Sequence, residues 1–260
     1  MRFVLKIIFM TYPLPKKTII IPLFLIAIIW SIFLIEYSGI GLRDCYGVVP
    51  RTIYGLKGIL LSPLFHSGWT HLISNTFPLF FLSFLALLMY DRLAYYVLIF
   101  GWIISGILLW LIGNPPFLDA ASGCHIGASG LVYMLASFIL FSGLIRKERG
   151  LMAISGVVIL LYGGMFWGVL PEEFLPEVNI GSNPISWEGH LSGFIVGGFF
   201  AYLFRKIGPQ KQKAKWEDEN YYDPREEELW QKYLESLRPI QEIEEIETEK
   251  KEDYPASNTE

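Results

Sequence analysis

Six apolar stretches, each close to the roughly 20 residues an α-helix needs to cross about 30 Å of hydrocarbon, limit what this chain can fold into. They run from Ile19 to Tyr37, Trp69 to Met89, Leu93 to Ile112, Ile126 to Ile145, Leu151 to Leu170 and Gly189 to Phe204, separated by charge, proline or glycine. A segment in lipid must satisfy its own backbone polar groups, so helices are expected and open sheets are not. Composition agrees, with 53% of residues hydrophobic, 18% charged and a mean hydropathy of +0.41, well away from a water-soluble chain. The expectation is an all-α membrane protein, a bundle of six transmembrane helices. It divides into an N-terminal cytoplasmic or interfacial segment (1–17), a helical body (18–207) and an acidic tail (208–260).

Charge reads the orientation. With the N-terminus in the cytoplasm, thirteen basic residues fall in inside segments, among them Lys16, Lys17, Arg146, Lys147, Arg205 and Lys206. Only Arg43, Arg51 and Lys57 fall outside. The positive-inside rule then expects both termini in the cytoplasm. Residues 1–215 hold sixteen of the 21 Lys/Arg and nine of the 25 Asp/Glu, leaving five and sixteen for 216–260. The basic residues of the body sit in short clusters between apolar runs and form no stripe, so no nucleic-acid partner is expected.

Met1 to Tyr12 reads as an interfacial lead-in, since no small-residue cleavage site follows it. The loop Ser38–Gly68, rich in Gly, Pro and aromatics, is expected in the membrane interface. Pro171–Trp187, with Glu172, Glu173, Glu177 and three prolines, reads as a mobile cap. In the tail, Asp223-Pro224 followed by Glu226–Glu228 is a helix-start signal. Pro239 is expected to end that helix, with disorder from Gln241. Cys45 and Cys124 are too few and too far apart to suggest a disulfide framework, and no zinc spacing accompanies them, so they are assigned no chemistry.

Polar side chains at membrane depth must find partners or line a wet cavity, which makes them informative. All four histidines, His66, His71, His125 and His190, fall within or beside the outer ends of the second, fourth and sixth stretches. His71 and Asn75 are four residues apart and share a helical face. Gly127-Ala128-Ser129-Gly130 opens the fourth stretch with small residues that leave the Ser129 hydroxyl uncovered, and Tyr133 lies one turn along the same face. Gly189, Gly193 and Gly197 recur every four residues as a smooth stripe for close approach. Packing the fourth stretch on that stripe would bring His190 near Ser129. Each feature alone is compatible with plain helix packing.

Together they supply the parts of acyl transfer. An imidazole takes the proton of a serine hydroxyl and returns it to the leaving amine. Donors from His71 and Asn75, with the Ser129 N–H, could hold the oxyanion. No carboxylate lies at a useful depth. Glu188 is two residues from His190, about 200° around a helix, and is read as a solvated rim residue. A Ser129–His190 dyad is the resulting expectation.

These residues resemble the rhomboid family of intramembrane serine proteases over the six-span body, though not the tail. His66-Ser67-Gly68-Trp69-Thr70-His71 with Asn75 resembles HxxxxHxxxN, Gly127-Ala128-Ser129-Gly130 resembles GxSG, and His190-Leu191-Ser192-Gly193 with Gly197 resembles HxxGxxxG. The resemblance implies a serine endopeptidase with Ser129 as nucleophile and His190 as general base. It places His71, Asn75 and the Ser129 amide in the oxyanion hole and gives Gly127, Gly130, Gly193 and Tyr133 supporting roles, the Tyr133 ring packing on His190. It implies transmembrane protein substrates within a lipid bilayer, cut near the outer end of a helix at small side chains, and no cofactor or metal. The first outside loop departs from the family in lacking a Trp-Arg pair. His66 is expected to serve as a structural hydrogen-bonding group, and Cys124 and His125 to shape the cavity.

Two other classes compete. Relatives that bind transmembrane clients without cutting them lack the Ser or the His, and this chain has both. A metal or haem protein built on the four histidines would leave Ser129 and the glycine stripe unexplained. A bacterial cell membrane is the expected location.

Overall fold

Why the apolar stretches stop where they do is legible at their ends. The computed structural model describes residues 15–39, 45–115, 123–171, 186–211 and 223–252. Helix α1 (Lys17–Tyr37) is followed, after a loop of short helical turns, by α2 (Trp69–Tyr90) and α3 (Arg92–Ile112), which are separated by Asp91 alone. Asp91 has φ 45°, a left-handed conformation that breaks the helical path, and Lys17 at the start of α1 donates to its carboxylate. Helix α4 (Ser129–Arg146) begins after Gly127, whose φ of +116° suits glycine, and ends at left-handed Lys147. Glu148 caps α5 (Arg149–Tyr162) by accepting from Leu151 N at 2.7 Å, and Ser186 caps α6 (Trp187–Leu203).

The fold is all-helical, with no strands among the described residues beyond an isolated bridge between Val48 and His125. Helices α1 to α4 are long and apolar enough to cross a membrane, whereas α5 has 14 residues and α6 has 17. The fifth stretch, expected to run to Leu170, departs from the α-helical path at Gly163 and continues as a 3-10 turn over Gly163–Val169. Gly163 and Gly164 account for the change, since glycine holds an α-helix poorly.

Helix α4 is the centre of the body, with 61% of its span buried against 22–44% for α1 to α3. Met134, Leu135 and Phe138 are fully enclosed. Its closest neighbour is α6. A Cβ on Gly193 would collide with the carbonyl oxygen of Gly130, and one on Gly197 with Ser137 Oγ and the Met134 carbonyl. The glycine stripe is therefore a backbone-to-backbone contact of the kind that drives helix association in lipid. At the far end of α4, buried Arg146 donates through Nη1 to Ile207 O (2.6 Å) and Pro209 O (2.9 Å), and through Nη2 to Phe204 O (2.7 Å). Its guanidinium satisfies carbonyls left open where α6 ends.

The loop between α1 and α2 folds back on itself. Tyr54–Lys57, Gly58–Leu61 and Ser62–Leu64 form successive short turns, and the backbone at Gly58 lies against that at Gly47. Ile53, Tyr54, Leu56 and Leu60 are exposed on it. Arg51, at φ 57°, closes the end of α3 by donating to Gly113 O (2.6 Å) and Asn114 O (2.7 Å). Trp110 Nε1 donates to Thr52 O at 2.8 Å.

Two expectations need correction. Cys45 and Cys124 form a disulfide, with Cα atoms 5.9 Å apart across 79 residues of sequence. Sequence separation misled because the loop folds back to pair Val48 with His125, bringing the thiols together. Pro239 does not end the tail helix, since α7 (Pro224–Glu252) runs through it for 29 residues. Proline removes one hydrogen bond, and the Glu-, Lys- and Gln-rich run beyond is a strong helix former. The chain divides into two units, 1–211 and 212–260, and α7 belongs to the second. The expected lead-in Met1–Tyr12 and most of the cap Pro171–Trp187 lie outside the described residues.

A substitution on the glycine contact tests its role. Gly197→Ala overpacks a rigid backbone contact and is expected to lower stability by about 1–3 kcal/mol, read as a drop in Tm in detergent. Reduction of the disulfide is expected to release two alkylatable thiols and lower Tm, with a cost on the order of 2–4 kcal/mol. Thiol alkylation of the unreduced protein at both cysteines would contradict the bridge.

Candidate active site

Ser129 is the first residue of α4 and His190 lies in the first turn of α6, so the glycine contact brings two helix beginnings side by side. His190 Nε2 lies 2.9 Å from Ser129 Oγ, hydrogen-bond reach for proton transfer. His190 Nδ1 lies 2.8 Å from the carbonyl oxygen of Gly168 in the turn after α5. A carbonyl only accepts, so Nδ1 carries the proton and Nε2 is left as the acceptor for the Ser129 hydroxyl. The Tyr133 ring stacks on the His190 imidazole, with centroids 4.1 Å apart and planes at 10°. His190 and Tyr133 are both buried.

The expected oxyanion donors stand beside this pair. The His71 ring edge packs on Gly127 so closely that a Cβ there would strike Nε2. His71 Nδ1 lies 3.1 Å from Ser67 Oγ, which leaves Nε2 facing the Gly127 turn. Asn75 directs Nδ2 back to the His71 carbonyl at 2.9 Å, with its second N–H unused by that bond. His66 Nε2 accepts from Ala128 N at 3.4 Å, a long bond that braces the turn before Ser129 from below. Burial, with the neighbouring His71 imidazole adding to it, lowers the His66 pKa to about 4 and keeps it a neutral acceptor. Gly127 N donates to Ser62 O at 2.8 Å.

Glu188, read as a solvated rim residue, is buried instead, and its Oε1 accepts from Asn114 N at 3.3 Å. The space its carboxylate occupies is bounded by the residues just after α3 rather than by water. His125, expected only to shape the cavity, is buried with both ring nitrogens engaged. Nδ1 lies 2.7 Å from Ser186 Oγ and Nε2 lies 3.0 Å from Asn114 Oδ1. Burial lowers its pKa, against a smaller opposing effect of the Glu188 charge. The Gly168 carbonyl, Ser186 and Asn114 were missed in the sequence. The first is main chain and carries no side-chain signal, while Ser186 is a helix-capping residue and Asn114 a loop residue whose partner, His125, lies 61 and 11 positions away respectively.

Among the described residues, no group of three or more His, Cys, Asp or Glu side chains gathers as a metal site requires. A cavity of about 40 Å³ adjoins Ser129, and Ser62, Trp102, Ser105, His125 and Ser186 are among its walls.

With this geometry in place, the matching family is decisive: the Rhomboid domain family model covers residues 55–207. The chain belongs to the rhomboid family. It is similar to an uncharacterized protein of Mycobacterium tuberculosis, 36% identical over 195 residues that make up 73% of this chain and 75% of that one. An uncharacterized protein of Mycobacterium leprae is 38% identical over 148 residues, 57% of this chain and 56% of that one. A protein of Acanthamoeba polyphaga mimivirus named as a putative rhomboid protein is 30% identical over 145 residues, 56% of this chain and 73% of that one. Rhomboid proteins are generally intramembrane serine proteases, with inactive members among them, and the four long apolar helices make this rhomboid an integral membrane protein.

The His66 environment gives a pH dependence with a definite sign. A folded-state pKa of about 4 against an ordinary 6.5 means that the unfolded chain binds a proton first as pH falls. Stability from this group is therefore present above pH 6.5 and is lost as pH drops through the folded value near 4. Tm in detergent is expected to fall across that window. His66→Gln, which keeps an acceptor and does not titrate, should flatten part of the slope.

Proposed function

We propose that this rhomboid is an active intramembrane serine endopeptidase that cuts transmembrane segments of other membrane proteins. The observation that carries the reading is the 2.9 Å approach of His190 Nε2 to Ser129 Oγ, with Nδ1 held by the Gly168 carbonyl. In the proposed reaction His190 takes the Ser129 proton as Oγ attacks the scissile carbonyl, forming a tetrahedral oxyanion. The collapse of that intermediate breaks the C–N bond, and His190 passes the proton to the leaving amine. Water then repeats the sequence to release the acyl product and restore Ser129.

The His71 Nε2 beside Gly127, the free N–H of Asn75 and the N–H at the start of α4 are the donors assigned to the oxyanion. The cavity next to Ser129 is large enough for a water molecule, and among its mostly apolar walls the Nε1 of Trp102 and Oγ of Ser105 are buried without a protein partner. These features support a supply of water at a site within the bilayer. The Tyr133 ring keeps the imidazole from rotating out of line.

The proposed topology has six spans and cytoplasmic termini. The excess of basic residues at the Arg146 end of the bundle supports it, as does the disulfide, because Cys45 and Cys124 both fall on the side assigned to the oxidising exterior. The exposed apolar residues Ile53, Tyr54, Leu56 and Leu60 suit a loop lying in the membrane interface. The mycobacterial relatives support a bacterial cell membrane as its location.

Labelling of the purified protein in detergent with a fluorophosphonate serine probe tests the reading. Wild type is expected to label, and Ser129→Ala and His190→Ala to lose labelling while retaining the helical fold by circular dichroism. Asn75→Ala should reduce cleavage of a transmembrane peptide by about 10²–10³ without abolishing it. Labelling retained in Ser129→Ala would exclude the dyad. A folded wild type that never labels would favour a client-binding rhomboid instead.

A further inference from the structure

The catalytic pair sits on two separate helices, and the glycine contact that joins them fixes how close their axes come but not how far either slides or turns. Something must hold the two beginnings in register. Ser129 and His190 are each preceded, four residues earlier, by a residue of one hydrogen-bonded pair: His125 and Ser186.

We propose that His125 is a positioning residue that locks the serine-bearing segment to the start of the histidine-bearing helix. The inference rests on the serine-protease reading and deepens it. The direction of each bond follows from its partners. Asn114 Oδ1 only accepts, so His125 Nε2 carries the proton and donates to it at 3.0 Å. His125 Nδ1 is then the acceptor, and the Ser186 hydroxyl donates to it at 2.7 Å. With its proton committed, Ser186 Oγ accepts from Gly189 N at 3.2 Å, and the Ser186 carbonyl accepts from Gly189 N at 3.1 Å and His190 N at 3.2 Å. The imidazole is thus wired to the first turn that carries His190.

The same residue is fixed from the other side through its main chain. His125 N donates to Val48 O and Val48 N donates to His125 O, both at 2.9 Å, and Cys124 is covalently tied to Cys45. Glu188, also in the first turn of α6, accepts from Asn114 N at 3.3 Å and so closes the ring of contacts His125–Asn114–Glu188 back onto α6. A carboxylate in a first helical turn is favoured there by the helix dipole. His125 is therefore held at its backbone by one loop, and its two nitrogens hold the N-cap of α6 and the end of α3. Nucleophile and base need placement within about 0.5 Å, and a shift of about 1 Å can cost on the order of 10²-fold in rate.

The test uses full-length protein in detergent and resolves fluorophosphonate labelling into kinact and KI. His125→Leu removes both side-chain bonds and is expected to lower kinact about tenfold or more while KI stays within about twofold and Tm within a few degrees. His125→Gln, whose amide can donate to Asn114 and accept from Ser186, should recover most of the loss. Ser186→Ala should reproduce the Leu phenotype. A folded His125→Leu that labels at the wild-type rate, or a Gln variant no better than Leu, overturns the inference. If His125→Leu does not fold, Ser186→Ala decides, and failure of both to fold overturns it as well, since the network would then hold the fold rather than the site. A wild type that does not label fails the protease reading and this inference with it, whereas a labelling wild type with an indifferent His125→Leu fails this inference alone.

Discussion

Everything at the candidate site depends on how closely α4 and α6 approach. Gly193 sits against the carbonyl of Gly130 and Gly197 against the Met134 carbonyl and the small Ser137 hydroxyl, so along this stripe the helices meet with their backbones in near contact. In lipid there is little hydrophobic gain from joining two apolar helices, and close van der Waals contact is what holds them. With ordinary side chains at those positions the axes would stand further apart, and a 2.9 Å bond between the first residue of one helix and the first turn of the other would be out of reach.

That contact is flanked by polar clamps at both ends. At the Ser129 end, Ser186 caps α6 and is itself held by His125. At the other end, Arg146 on α4 spreads its guanidinium over three carbonyls following α6. A planar fork with five donors suits that task, since its Nη groups reach the three carbonyls while Nε donates to Ser142 Oγ at 2.8 Å, one bond more than the three N–H groups of a lysine could make. The helix pair is therefore defined by shape along its middle and by directional bonds where it leaves the hydrophobic interior.

The sequence carried much of this arrangement because membrane helices leave a coarse record. Apolar length located the helices to within a few residues, apart from α5, where paired glycines turn the path into a 3-10 segment. The four-residue glycine period and the positions of Ser129 and His190 pointed to their juxtaposition, since helical periodicity converts spacing directly into a shared face. What stayed hidden depended on loops. The Cys45–Cys124 bridge follows from a loop folding back to pair Val48 with His125, while the contacts of Glu188 and of the His125 side chain follow from Asn114, just after α3, meeting the start of α6, and no periodic signal encodes such paths. The tail helix runs on through Pro239 because the charged residues around it favour helix more strongly than one proline disfavours it.

The acceptor that steadies His190 is main chain. A carboxylate in that place could be altered by one substitution and would bring a negative charge toward the imidazole. The Gly168 carbonyl has neither property, since its orientation is set by the path of the 163–169 turn rather than by the identity of any side chain there. The ring's alignment is thereby coupled to the mechanics of one segment: whatever displaces that turn also withdraws the support from the imidazole, with no change in the chemistry of either partner. Sensitivity at this point belongs to geometry, and the residues that govern it need not touch His190 at all.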